Sequence, residues 1–196
     1  MTIAFLAALQ LPAFAGPPLI CHPLEIGAAQ SLPWAGSEWR AVRKDYDLNR
    51  LVGDTLKLLG PETPIIVRME TLRRATVYAQ WSRFDTKVGI DPKGERVAQE
   101  LLTKLIARAQ DAERRGVKDR NDALALFDAG YLLESYRQTV AMGKQNTLPQ
   151  YDGYAWVRRA SQALNRDAEM EFALALMLVD KPTQRAAHNE HFRHAT

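Results

Sequence analysis

The sequence predicts an all-α protein, and three observations predict it. From about position 45 onward, apolar residues recur at spacings of three and four, the repeat of one face of a helix. The segments that carry this repeat stop at helix-ending residues, Gly60-Pro61, Gly116 and Gly143. No Asn-Gly or similar turn stands between two alternating apolar runs, so no strand hairpin is expected. The expected architecture is about six to seven helices in antiparallel hairpins, preceded by an extended N-terminal arm.

Residues 1–15 come first. "MTIAFLAALQLPAFA" is an apolar run ending in the small-x-small pattern Ala13-Phe14-Ala15, and the first charged residue is Glu25. This reads as a signal peptide cleaved after Ala15, and so as an exported protein, periplasmic or secreted. No Lys or Arg precedes the run, which leaves the terminal amine as its positive charge or places the start upstream. The run is too short and too rich in proline for a membrane span of about 20 apolar residues. A lipid anchor on Cys21 is disfavoured, because Pro18-Leu19-Ile20 offers no small residue before the cysteine.

Residues 16–40 hold Pro17, Pro18, Pro23 and Pro33, so a non-helical arm is expected. Leu19, Ile20, Leu24, Ile26, Leu32 and Trp34 give it apolar surface to lay on something. The helical domain spans 41–181. Its first helix, about 45–59, carries Leu48, Leu51, Val52, Thr55, Leu56 and Leu59 on one face. Thr63 and Pro64 are expected to cap and open the second, with Ile65, Met69, Leu72, Thr76 and Ala79 inward and Glu70 paired with Arg73 and Arg74. The third, about 93–115, has the clearest stripe, Val97, Leu101, Leu105, Ala109 and Ala112. The fourth, about 121–142, is apolar on more than one side and belongs in the middle of a bundle. Helices at about 152–164 and 167–179 follow, the second apolar nearly all round. Residues 182–196 form a histidine-containing tail, helical but frayed. In outline this resembles a tetratricopeptide-like array, but no period near 34 residues recurs and the signature positions do not repeat, so no family is assigned.

Composition narrows the function classes. Of 196 residues, 46% are hydrophobic and 25% charged, ordinary globular usage that fits one domain. The net charge of +3 comes from basic residues mixed with acidic ones, so no nucleic-acid partner is expected. One cysteine excludes an intramolecular disulfide.

Three sets of residues carry candidate chemistry. Cys21-His22 is a thiol beside an imidazole, but Pro23 drives His22 to extended backbone angles, where neighbours point apart. A base for Cys21 would have to be His188, His191 or His194, brought in by folding. Those same three histidines of "HNEHFRH" are candidate metal ligands, with Cys21 or Glu190 as a third donor. His188 and His194 do not share a helical face, and a solvated tail is the simpler reading. The third set is Arg68, Arg73, Asp128, Glu134 and Arg137, where inward carboxylates meet arginines as either a structural ion pair or a ligand cleft. Tyr131, Tyr136, Tyr151, Tyr154 and Trp156 add an aromatic cluster that reads as core or as a groove. The leading expectation is a non-catalytic module for an unknown protein or peptide partner, without a cofactor. The alternatives are a metal- or thiol-dependent enzyme or metal-binding protein using Cys21 and the C-terminal histidines, and a small-ligand binder at Arg68 and Asp128.

Overall fold

The computed structural model describes residues 16–82, 91–140 and 151–196. The signal peptide expected over residues 1–15, its cleavage site, and the ends of the second and fourth expected helices lie outside the described residues.

The described residues form helices, with one isolated antiparallel bridge, Trp34 with Val42, as their only β pairing. A single helical turn, α1 (Pro18–Cys21), opens the arm. A 3-10 turn over Leu48–Arg50 runs straight into α2 (Leu51–Leu58), and the Asp47 carboxylate accepts the Asn49 N–H at its start. Then come α3 (Ile65–Trp81), α4 (Pro92–Arg115), α5 (Arg120–Val140), α6 (Gly153–Ala163) and α7 (Ala168–Leu178). A 3-10 turn over Pro182–Gln184 leads into α8 (Arg185–Ala195). Aspartates do most of the capping. Asp91, Asp152 and Asp167 accept first-turn N–H groups of α4, α6 and α7 at 2.8, 2.9 and 3.1 Å. Gly116 ends α4 in the left-handed region at φ 88°, open to glycine without strain.

Helices α3 and α5 form the middle of the molecule. α3 touches α1, α2, α4, α5 and α7, while α5 touches α1, α3, α4, α6 and α7. Leu72, Ala75, Phe127, Leu132 and Leu133 are fully enclosed between them and their neighbours. Two close backbone approaches set helix spacing. A Cβ on Gly94 of α4 would stand 2.0 Å from the Ala79 carbonyl oxygen of α3. A Cβ on Gly130 of α5 would stand 2.5 Å from the Gly153 carbonyl oxygen of α6. At the other end of α3, Glu169 of α7 accepts the Ile66 N–H at 2.9 Å, so a distant helix supplies the N-terminal cap.

Four sequence expectations are corrected. The arm is not wholly extended, because Pro18 sits where its missing N–H costs nothing and starts the short α1. The first helix begins at Leu48 rather than 45, after the Asp47 cap. Pro64, not Thr63, is the capping position of α3, and the Thr63 hydroxyl instead donates to the Leu58 carbonyl at 2.8 Å. The C-terminal segment is not a solvated tail, since α8 packs on α7 and His191 is buried.

Candidate functional site

The arm lies along α3, and buried charges of α3 hold it there. Glu70 and Arg73, both fully buried, form a bidentate pair with N–O distances of 2.7 and 2.8 Å. Arg73 Nη1 also donates to the carbonyls of Ile20 at 3.0 Å and Trp39 at 2.9 Å. Glu70 accepts the Leu24 N–H at 3.0 Å and Arg74 Nε at 2.7 Å. Arg74 Nη1 donates to the Leu32 carbonyl at 2.7 Å. From α5, the Gln138 side chain accepts the Leu19 N–H at 2.8 Å. These contacts all go to main-chain atoms of the arm, so they grip its path rather than its side chains. Aromatic packing adds to the grip. The guanidinium carbons of Arg73 and Arg74 lie 5.0 and 5.4 Å from the Trp34 ring, Trp34 meets Tyr78 edge-on, and Trp39 meets Trp81 edge-on. Burial pushes the Glu70 carboxyl up, but Arg73, the Leu24 N–H and Arg74 together hold it below its ordinary value.

Arg68, one helical turn earlier on α3, works separately. It pairs with Asp128 of α5 at 2.6 Å, both side chains buried. Its remaining nitrogens donate to the Thr63, Leu59 and Gly60 carbonyls and tie down the α2–α3 turn. Burial lifts the Asp128 carboxyl to about 6, against the lowering pull of Arg68 and Arg108. Only one carboxylate oxygen is used: Oδ2 takes Arg68, and Oδ1 has no hydrogen-bond partner. A cavity of about 330 Å³ lies against this pair.

Glu134 and Arg137 stand further along α5, paired with each other at the start of α6. Arg137 donates to the Tyr151 carbonyl, and Glu134 approaches Gly153. The five residues expected to line one cleft are therefore three separate structures. Arg73 lies under the arm, Arg68 and Asp128 flank the cavity, and Glu134 and Arg137 join α5 to α6. Helix periodicity put them on inward faces but carries no information about which neighbour each face meets.

The histidines take different partners. His191 Nδ1 lies 2.7 Å from Glu171 Oε2 and its Nε2 2.7 Å from the Tyr154 hydroxyl, while the Ser161 hydroxyl donates to Glu171 Oε1 at 2.5 Å. This chain pins α8 to α6 and α7. His188 Nδ1 contacts the Ala175 carbonyl at 2.9 Å, and His194 is exposed. Among the described residues no three His, Cys, Asp or Glu side chains gather as a metal site. Cys21 is half-buried, its thiol pushed up by burial with a smaller opposing pull from Arg73, and it hydrogen-bonds to no described imidazole. His22 is exposed in extended backbone at φ −115° and ψ 100°. Tyr131 and Tyr136 belong to the core, while Tyr151 stacks on Trp156 at 5.1 Å. Glu171, Ser161 and Tyr154 as partners of His191 were not legible from the sequence; the one signal was a glutamate inside the apolar run "AEMEFALALMLV".

Compared with protein-family models, curated proteins and solved structures, the chain matches none of them.

Proposed function

We propose that this protein is an exported, non-catalytic interaction module whose helical domain clasps an extended peptide segment along α3. The observation that supports this reading is the Glu70–Arg73–Arg74 group, which hydrogen-bonds to main-chain atoms of Ile20, Leu24, Leu32 and Trp39. Main-chain recognition is how grooves hold extended peptides of varied sequence, with pockets for alternate side chains adding selectivity. Leu19 and Ile20 in the α1 turn and Leu32 further on anchor the arm beside these bonds, each almost fully buried. On this reading the chain's own arm is the resident occupant, and a partner presents a segment of the same kind. No helix among the described residues is long and apolar enough to cross a membrane.

A protease site inserted in the exposed turn at Ala28–Gln30 tests the proposal. After cutting, the severed 16–27 segment is expected to stay bound through gel filtration. It should exchange with an excess of labelled peptide spanning 16–42 while the helical circular dichroism signal holds. A segment that never exchanges, or an exchange that unfolds the bundle, refutes the clasp.

A further inference from the structure

We infer that the cavity beside Asp128 binds a small zwitterion, an α-amino acid with an apolar side chain. The inference is independent of the peptide clasp, because no residue of the arm lines this cavity.

The floor is Asp128 of α5. Its Oδ2 is taken by Arg68, and its Oδ1 is without any donor, an arrangement that leaves a buried acceptor unsatisfied. Arg68 is largely committed, since four of its five N–H groups already donate to Asp128 or to the α2–α3 turn. The cation that remains is Arg108 of α4. It reaches the same cavity, is exposed, and makes no hydrogen bond or ion pair with a described residue. Leu56, Leu59, Leu124 and Ala125 supply apolar wall. The volume of about 330 Å³ is at the small end of the range for ligand pockets, about 300–1,000 Å³.

Charge then selects the ligand class. A simple carboxylate would find Arg108 but would face the Asp128 carboxylate. A simple amine would find Asp128 but would sit beside two guanidinium groups. A molecule that carries an ammonium group and a carboxylate two bonds apart satisfies both: the ammonium donates to Asp128 Oδ1, and the carboxylate accepts from Arg108. The burial of Asp128 strengthens the first contact, and the leucine-rich wall favours an aliphatic side chain over a polar one.

The test is equilibrium binding to the full chain by saturation-transfer NMR and thermal shift, with L-leucine, L-valine and L-phenylalanine as probes. The comparison probes are 4-methylpentanoate and isoamylamine, which are leucine without its amine and without its carboxylate. Saturable binding of at least one amino acid is expected, with both comparison probes at least tenfold weaker. Arg108→Gln is expected to weaken the amino acid at least tenfold with the helical circular dichroism signal unchanged, since Arg108 makes no hydrogen bond or ion pair with a described residue. Absence of saturable binding at millimolar amino acid overturns the inference. So does equal binding of all the probes, or an Arg108→Gln protein that binds like the parent.

Discussion

Replacing Arg73 with methionine should separate the two tasks of the α3 charge group. The substitution keeps a long apolar stem but leaves Glu70 buried without its bidentate partner. Breaking one member of a buried ion pair costs about 3–5 kcal/mol. Glu70 retains Arg74 and the Leu24 N–H, which places the expected loss near the lower end, about 3 kcal/mol. The carbonyls of Ile20 and Trp39 lose their donor at the same time, so the arm should loosen as well. The double variant Glu70→Met/Arg73→Met removes both charges, and replacing a buried pair with apolar residues is often neutral. Its unfolding free energy in urea, followed by circular dichroism, should therefore recover by about 2 kcal/mol over the single variant. Hydrogen exchange at the Leu24 amide should be faster in the double variant, where its acceptor Glu70 is gone, than in the single variant, where Glu70 still accepts it. A loss below about 1 kcal/mol in Arg73→Met, or a double variant no more stable than the single, would refute the assignment of Glu70–Arg73 as the buried clamp.

Further expectations follow from other parts of the molecule. Asp128 has a folded value of about 6 against an ordinary 3.8, so the folded chain holds a proton that the unfolded chain has lost between those values. The stability it contributes is full below pH about 4 and falls as pH rises to about 6, by about 3 kcal/mol, a slope that should be missing in Asp128→Asn when urea unfolding is repeated across that window. Gly130→Ala places a Cβ 2.5 Å from the Gly153 carbonyl and 2.9 Å from Val157 Cγ2, and should destabilise by about 1–3 kcal/mol despite the better helix propensity of alanine, read as a drop of several degrees in melting temperature. His191→Ala leaves Glu171 and Tyr154 without their shared partner and should cost about 2 kcal/mol, with exchange rising first in the α8 amides. Cys21, with its thiol raised by burial above 9.0, should react with iodoacetamide at pH 7.5 more slowly than free cysteine does; a faster reaction would revive the catalytic thiol.

The helices and most of their ends were legible because their causes are local. Asp91, Asp152 and Asp167 cap helices that start within a residue or two of the expected positions, and Gly116 stops α4 as its place after the last apolar turn implies. The Glu70–Arg73–Arg74 group was legible too, since three- and four-residue spacing brings side chains together on any helix. Asp128 stands one turn from Leu124 and from Leu132 on α5, which accounts for its burial, and a buried carboxylate takes a cation, here Arg68.

What the sequence determined by itself, then, is the set of helices and the faces they turn inward, because both depend on residues within a few positions of each other. Tertiary structure alone decided which inward charges meet. Arg73 and Arg68 are five residues apart on one helix, yet one holds the arm through Ile20 and Trp39 and the other holds α5 through Asp128. The same is true of His191, whose partners Glu171 and Tyr154 lie 20 and 37 residues away on two other helices. Such contacts are set by how helices dock, by glycine approaches such as Gly94 against Ala79 and Gly130 against Gly153, and by the route of the arm. Those are relations between distant segments, and spacing along one chain does not encode them.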